Sequence, residues 1–120
     1  MFQVQSELVK QYAETENCVI IGRCADYVLK DRDNVFSVFI YAPYLDRIAN
    51  SVEKLGIKAS EAKIIVDEVD YARELCYEKF TKTEFNTTNY RDLLINSAIL
   101  GRRKTADLIA GMAKHYFKEQ

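Results

Sequence analysis

The chain has 120 residues, 48% of them hydrophobic and 29% charged, with a formal net charge of −1 at neutral pH. That length suits one globular domain burying about two thirds of its unfolded surface, and the near-zero, interspersed charge excludes a broad field for nucleic acid or an anionic bilayer. No apolar run approaches the ~18 residues of a membrane span and no signal-peptide h-region opens the chain, so the expected address is the cytoplasm. The three cysteines, Cys18, Cys24 and Cys76, are an odd number without a CxxC pair, and are expected as reduced core thiols.

Helical and strand patterns alternate along the chain. Phe2, Leu8, Val9, Tyr12 and Ala13 keep one helical face apolar before the polar stretch 14–17. Cys18 to Ile21 is a four-residue apolar run that reads as a strand buried on both faces, as in a parallel sheet covered by helices. It stops at Gly22, and the guanidinium of Arg23 follows where the strand would end. Ligands of such sheets bind beyond the carboxyl ends of the strands, so Arg23 is a candidate phosphate contact. A short helical piece over Ala25 to Leu29 and a polar turn over 30–34 lead to Val35 to Tyr41, whose aromatic and β-branched residues predict a second strand.

Pro43 fits the first turn of a helix in which Leu45, Ile48, Ala49, Val52 and Leu55 recur at three- and four-residue steps, with Gly56 as its C-terminal cap. Ser60 is the expected N-cap of the longest helix, whose apolar positions run from Ala62 to Phe80. The turn-rich stretch 81–89 leads to a third strand around Asp92 to Ile95, and a last helix is expected over Lys104 to Phe117. The fold class predicted from this order is α/β, three-layered, with a small parallel sheet. No glycine-rich Gly-x-x-x-x-Gly-Lys-Ser/Thr loop occurs in these 120 residues.

Four pieces in order carry a family resemblance: GR after an apolar run, VFIYAP opening a helix, Asp67, Asp70 and Arg73 at three-residue spacing, and NYRDLLINSAILG. Together they resemble the cytidylate kinase-like group of nucleoside monophosphate kinases over nearly the whole chain. The resemblance implies a P-loop kinase fold that transfers the γ-phosphate of ATP, with Mg²⁺, to a nucleoside monophosphate such as CMP. Carried onto this sequence, it makes Arg23 the contact for the acceptor's phosphate. It places Asp70 and Arg73 in a lid, a helix over about residues 60–80, with Arg73 reaching the transferring phosphates. Asn96 and Ser97 come to lie beside the donor base.

The chain departs from that pattern in three places. Cys24 stands where the better-known cytidylate kinases have Asp, and Val66 and Val69 stand where they have further lid arginines. Family members also begin with a strand, the P-loop and its helix, and a second strand before reaching anything like FQVQSELVKQYA. The expectation is therefore a truncated P-loop kinase-like fold, inactive alone. Its strands Cys18 to Ile21 and Val35 to Tyr41 would flank a gap, to be filled by direct pairing, by another copy in a homo-oligomer, or by a separate chain. The alternative reading is a non-catalytic module that assembles through those edges.

Each candidate also has an ordinary structural reading. Arg23 could anchor a loop to Asp26 or Asp31, the Asp67, Asp70 and Arg73 row is common on a solvated helix face, and His115 is expected as a surface or packing residue. No metal-ligand spacing and no nucleophile with a base is present in the sequence.

Overall fold

The computed structural model describes residues 2–22 and 24–118. Seven elements follow one another: α1 (Phe2–Thr15), α2 (Ala25–Val28), β1 (Val38–Tyr41), α3 (Tyr44–Leu55), α4 (Ala59–Thr81), β2 (Leu93–Asn96) and α5 (Ser97–Lys118). The fold is mixed α/β, mostly helical, around a parallel two-stranded sheet in which Val38 is in register with Leu93 and Tyr41 with Asn96.

The amino end of that sheet is fastened by local hydrogen bonds. Asp92 accepts from the Ser37 amide at 2.8 Å through Oδ2, while the amides of Asp92 and Leu93 both donate to the Ser37 carbonyl, at 2.8 and 3.1 Å. On one face Phe39 meets Phe85 edge-on, and Phe85 meets Tyr77 of α4 in the same way, ring centroids 5.5 and 5.6 Å apart. Near the sheet's amino end, Tyr116 of α5 packs on Phe36 and its hydroxyl donates to the Asp33 carbonyl. Phe85 thus links α4 to β1, and Tyr116 ties α5 to the segment leading into β1.

Helix α3 forms where its sequence pattern places it. Pro43 precedes it, and Gly56 ends it at φ 66°, a left-handed conformation open to glycine at little steric cost, with its amide donating to the Val52 carbonyl. The short connection folds α4 back onto α3. Helix α4 starts at Ala59 with Lys58 in the N-cap position, so Ser60 lies inside the helix and does not cap it. Helix α5 begins seven residues before the expected Lys104, directly after β2, and is broken at Gly101, φ 82° and ψ 170°.

The principal correction concerns Cys18 to Ile21. The segment is not a strand, and Val19 and Ile21 are 90% and 87% exposed. It does not pair with β1, whose described partner is β2 alone. An apolar run adopts strand geometry only when a neighbour takes up its backbone N–H and C=O groups. The cysteines are free, but Cys18 and Cys76 are exposed and not in a core.

The buried apolar set among the described residues is small: Val9, Leu29, Ala62, Val66 and Tyr77. The accessible surface is 9142 Å², against about 6,700 Å² expected for a compact monomer of this mass. The helices therefore carry much apolar surface outward.

Candidate functional site

Tyr41 and Asn96 end the two parallel strands side by side, and ligands of parallel sheets bind beyond that end. The Asn96 carbonyl Oδ1 accepts from the Ala98 amide at 2.9 Å, and the Ser97 hydroxyl donates to the Tyr41 carbonyl at 3.3 Å. These two bonds start α5 immediately after the strand and tie it to β1. Arg102, Arg103 and Lys104 follow the break at Gly101 and are exposed.

Ala42 and Pro43 carry the chain from β1 into α3, and Arg47 lies on the first turn. Its Nε donates to the Ala42 carbonyl at 3.0 Å, and its Nη1 donates to both oxygens of Asp70 on α4, at 2.6 and 2.7 Å. One turn earlier on each helix, the Tyr44 hydroxyl donates to Asp67 Oδ1 at 2.5 Å. The hydrogen bond to Asp67 favours the protonated phenol, and the Tyr44 pKa is raised above its ordinary value. Both carboxylates of the Asp67, Asp70, Arg73 row are thus engaged by α3. Arg73 itself is exposed and has no ion pair among the described residues.

Arg23, the first candidate, lies outside the described residues. Its neighbours both take left-handed backbone conformations, Gly22 with φ 70° and Cys24 with φ 53°. Asp26, on α2 just beyond, is held by residues that sequence spacing does not single out. The Arg91 Nε and the Tyr77 hydroxyl both donate to Asp26 Oδ2, at 3.2 and 3.0 Å, and the Tyr27 amide donates to Oδ1 at 2.8 Å. Arg91 is 3% exposed at its side chain, lies 4.0 Å over the Phe39 ring, and gives Nη1 to the Thr87 carbonyl. Burial first, then the Asp26 charge, push the Tyr77 phenol up to about 12. Burial, Cys76 and Asp26 push the Cys24 thiol up to about 11, so that thiol stays protonated and a poor nucleophile.

Two clefts among the described residues bear on this region. One of ≈ 330 Å³, lined by Asp26, Ser37, Arg91, Asp92 and Tyr116 among others, opens at the amino end of the sheet, away from the carboxyl ends. The other, ≈ 450 Å³, runs between Leu8, Val9 and Tyr12 of α1 and the extended segment 18–21. The groups at the carboxyl end include Asn96 and Ser97, whose Oδ1 and hydroxyl are both engaged within the protein. They do not by themselves fit ATP with Mg²⁺: Asp67 and Asp70 are already engaged, and no cluster of three His, Cys, Asp or Glu poised for a metal occurs among the described residues. No described helix is long and apolar enough to cross a membrane.

A crystal structure of an uncharacterised protein from Eubacterium ventriosum shares this fold, with a TM-score of 0.81 at 22% identity over 95% of this chain and 63% of that one. A cytidylate kinase from Thermoplasma volcanium is 24% identical over 102 residues, which is 83% of this chain and 54% of that protein. The chain thus spans about half the length of that curated relative. The sequence pattern of the cytidylate kinase-like family matches residues 1–99, and the chain belongs to that family.

Proposed function

We propose that this chain contributes the acceptor and lid side of an ATP-dependent nucleoside monophosphate kinase. The observation that carries the reading is the convergence, at the carboxyl ends of two parallel strands, of Asn96 and Ser97 with the Ala42, Arg47 and Asp70 linkage. Family membership supports kinase chemistry with ATP and Mg²⁺ at the level of the family.

Phosphoryl transfer asks a protein mainly for positioning and for positive charge around oxygens that gather negative charge. In this reading Arg23 meets the phosphate of a CMP-like acceptor with a planar, two-pronged donor set. Asn96 and Ser97 lie beside the donor base, and Asp70, through Arg47, sets the angle of the helix that brings Arg73 toward the transferring phosphates. These 120 residues hold no glycine-rich loop with its lysine to cradle a triphosphate, so the reading gives them the acceptor and lid side alone. The chain works in the cytoplasm and as an oligomer.

A second reading, a non-catalytic assembly module, is favoured by one observation: Val19 and Ile21 project unpaired into solvent beside an apolar cleft. A coupled assay with CMP and ATP-Mg²⁺ tests the division of labour. The 120 residues alone should give no ADP above background; turnover near the ~1 to 100 s⁻¹ usual for kinases would overturn it.

A further inference from the structure

We propose that Asp26, gripped by Arg91 and Tyr77, is a positioning residue that fixes Cys24 and the start of α2 and couples them to helix α4. The proposal rests on the reading of Arg23 as the contact for the acceptor's phosphate, and deepens it by assigning the groups that hold its turn in place.

Three observations carry it. First, one carboxylate oxygen receives two donors from distant parts of the chain: the Tyr77 hydroxyl on α4 and the Arg91 Nε before β2, 51 and 65 residues away. Second, the grip is mostly buried. Arg91 is 3% and Asp26 17% exposed at the side chain, and the guanidinium is stacked over Phe39 with the Tyr77 and Phe85 rings at 5.3 and 5.5 Å. A planar guanidinium enclosed by rings and bonded at Nε and Nη1 has little rotational freedom, so the carboxylate it holds is fixed as well.

Third, the turn beside Asp26 is strained. Cys24 is a non-glycine residue at φ 53° and ψ 31°, and nothing in its own side chain caps α2. Such a conformation persists where the surroundings over-determine it, and it concentrates at functional turns. The backbone bonds there are local: the Ala25 amide to the Gly22 carbonyl at 3.1 Å, and the Tyr27 and Val28 amides to the Cys24 carbonyl at 3.1 and 3.0 Å. A four-residue helix cannot hold such a turn by itself. The carboxylate on its second residue, anchored to α4 and to the approach to β2, does so. Movement of α4 then reaches the turn through the Tyr77 hydroxyl.

The test compares wild type with Tyr77→Phe, which removes one donor and keeps the ring that packs on Phe85 and Arg91, and with Asp26→Asn. Hydrogen exchange of the Ala25 and Val28 amides is read against amides of α3 and β1, and CMP and inorganic sulfate are titrated. Faster exchange confined to Ala25 and Val28, with CMP binding weakened about three- to tenfold in Tyr77→Phe, is the expected result. Unchanged exchange at those amides, an equal rise throughout the chain, or wild-type CMP affinity in Tyr77→Phe would overturn the positioning role. A wild type that binds neither CMP nor sulfate while the two amides respond overturns the Arg23 reading and, with it, the coupling to phosphate; the grip on the turn then stands alone.

Discussion

Arg47 closes α4 onto α3 by placing a single guanidinium nitrogen 2.6 and 2.7 Å from the two oxygens of Asp70, while its Nε stays on the Ala42 carbonyl at 3.0 Å. The carboxylate expected in a lid therefore ties α4 to α3. The two side chains are 35% and 30% exposed, which places the pair between an exposed ion pair and a buried one. Asp70→Asn should cost about 1 kcal/mol, lowering the melting temperature by roughly 3 to 5 °C. High salt should shrink the difference. A melting curve identical to wild type at low salt would show that the pair does not close the helices.

The exposed apolar surface predicts self-association. The excess of about 2,400 Å² over a compact monomer is comparable with what one protomer contributes to a large obligate interface. Sedimentation should shift with concentration over a hundredfold range, and replacing Val19 and Ile21 together by Asp should weaken association at least about tenfold. A single compact species throughout would contradict this.

Stability should fall at alkaline pH through two identified groups. The folded pKa of Cys24, about 11, and of Tyr77, about 12, both lie above their ordinary values of 9.0 and 10.0. The folded state then holds these protons more tightly than the unfolded one, so the stabilisation is whole below pH 9 and is lost as pH rises through 11 and 12. Denaturant midpoints should drop less steeply over that window in a Cys24→Ala, Tyr77→Phe variant than in wild type. Equal slopes would assign the loss to other groups.

The sequence pattern shows what is local. The three- and four-residue spacing from Leu45 to Leu55, bounded by Pro43 and Gly56, defines α3 because each signal acts within one helix. Cys18 to Ile21 has the same local strand signal as Val38 to Tyr41, yet only the latter is a strand, because pairing depends on a neighbour that composition does not reveal. The early start of α5 rests on the Asn96 side chain turning back to the Ala98 amide, a cap hidden behind an apolar run. Asp26, Tyr77 and Arg91 carry no spacing signal at all, since the chain brings them together from two helices and the loop before β2.

The most direct measurement is a calorimetric titration of CMP into wild type and Arg23→Ala at low and high salt, with a melting curve for each to confirm folding. Binding to wild type should be weak and salt-sensitive. Loss of one charge-assisted contact, ~1.5 to 3 kcal/mol, should carry the binding of Arg23→Ala beyond detection. Equal heats from the two folded proteins would rule out phosphate binding by Arg23 and return it to the role of a loop residue.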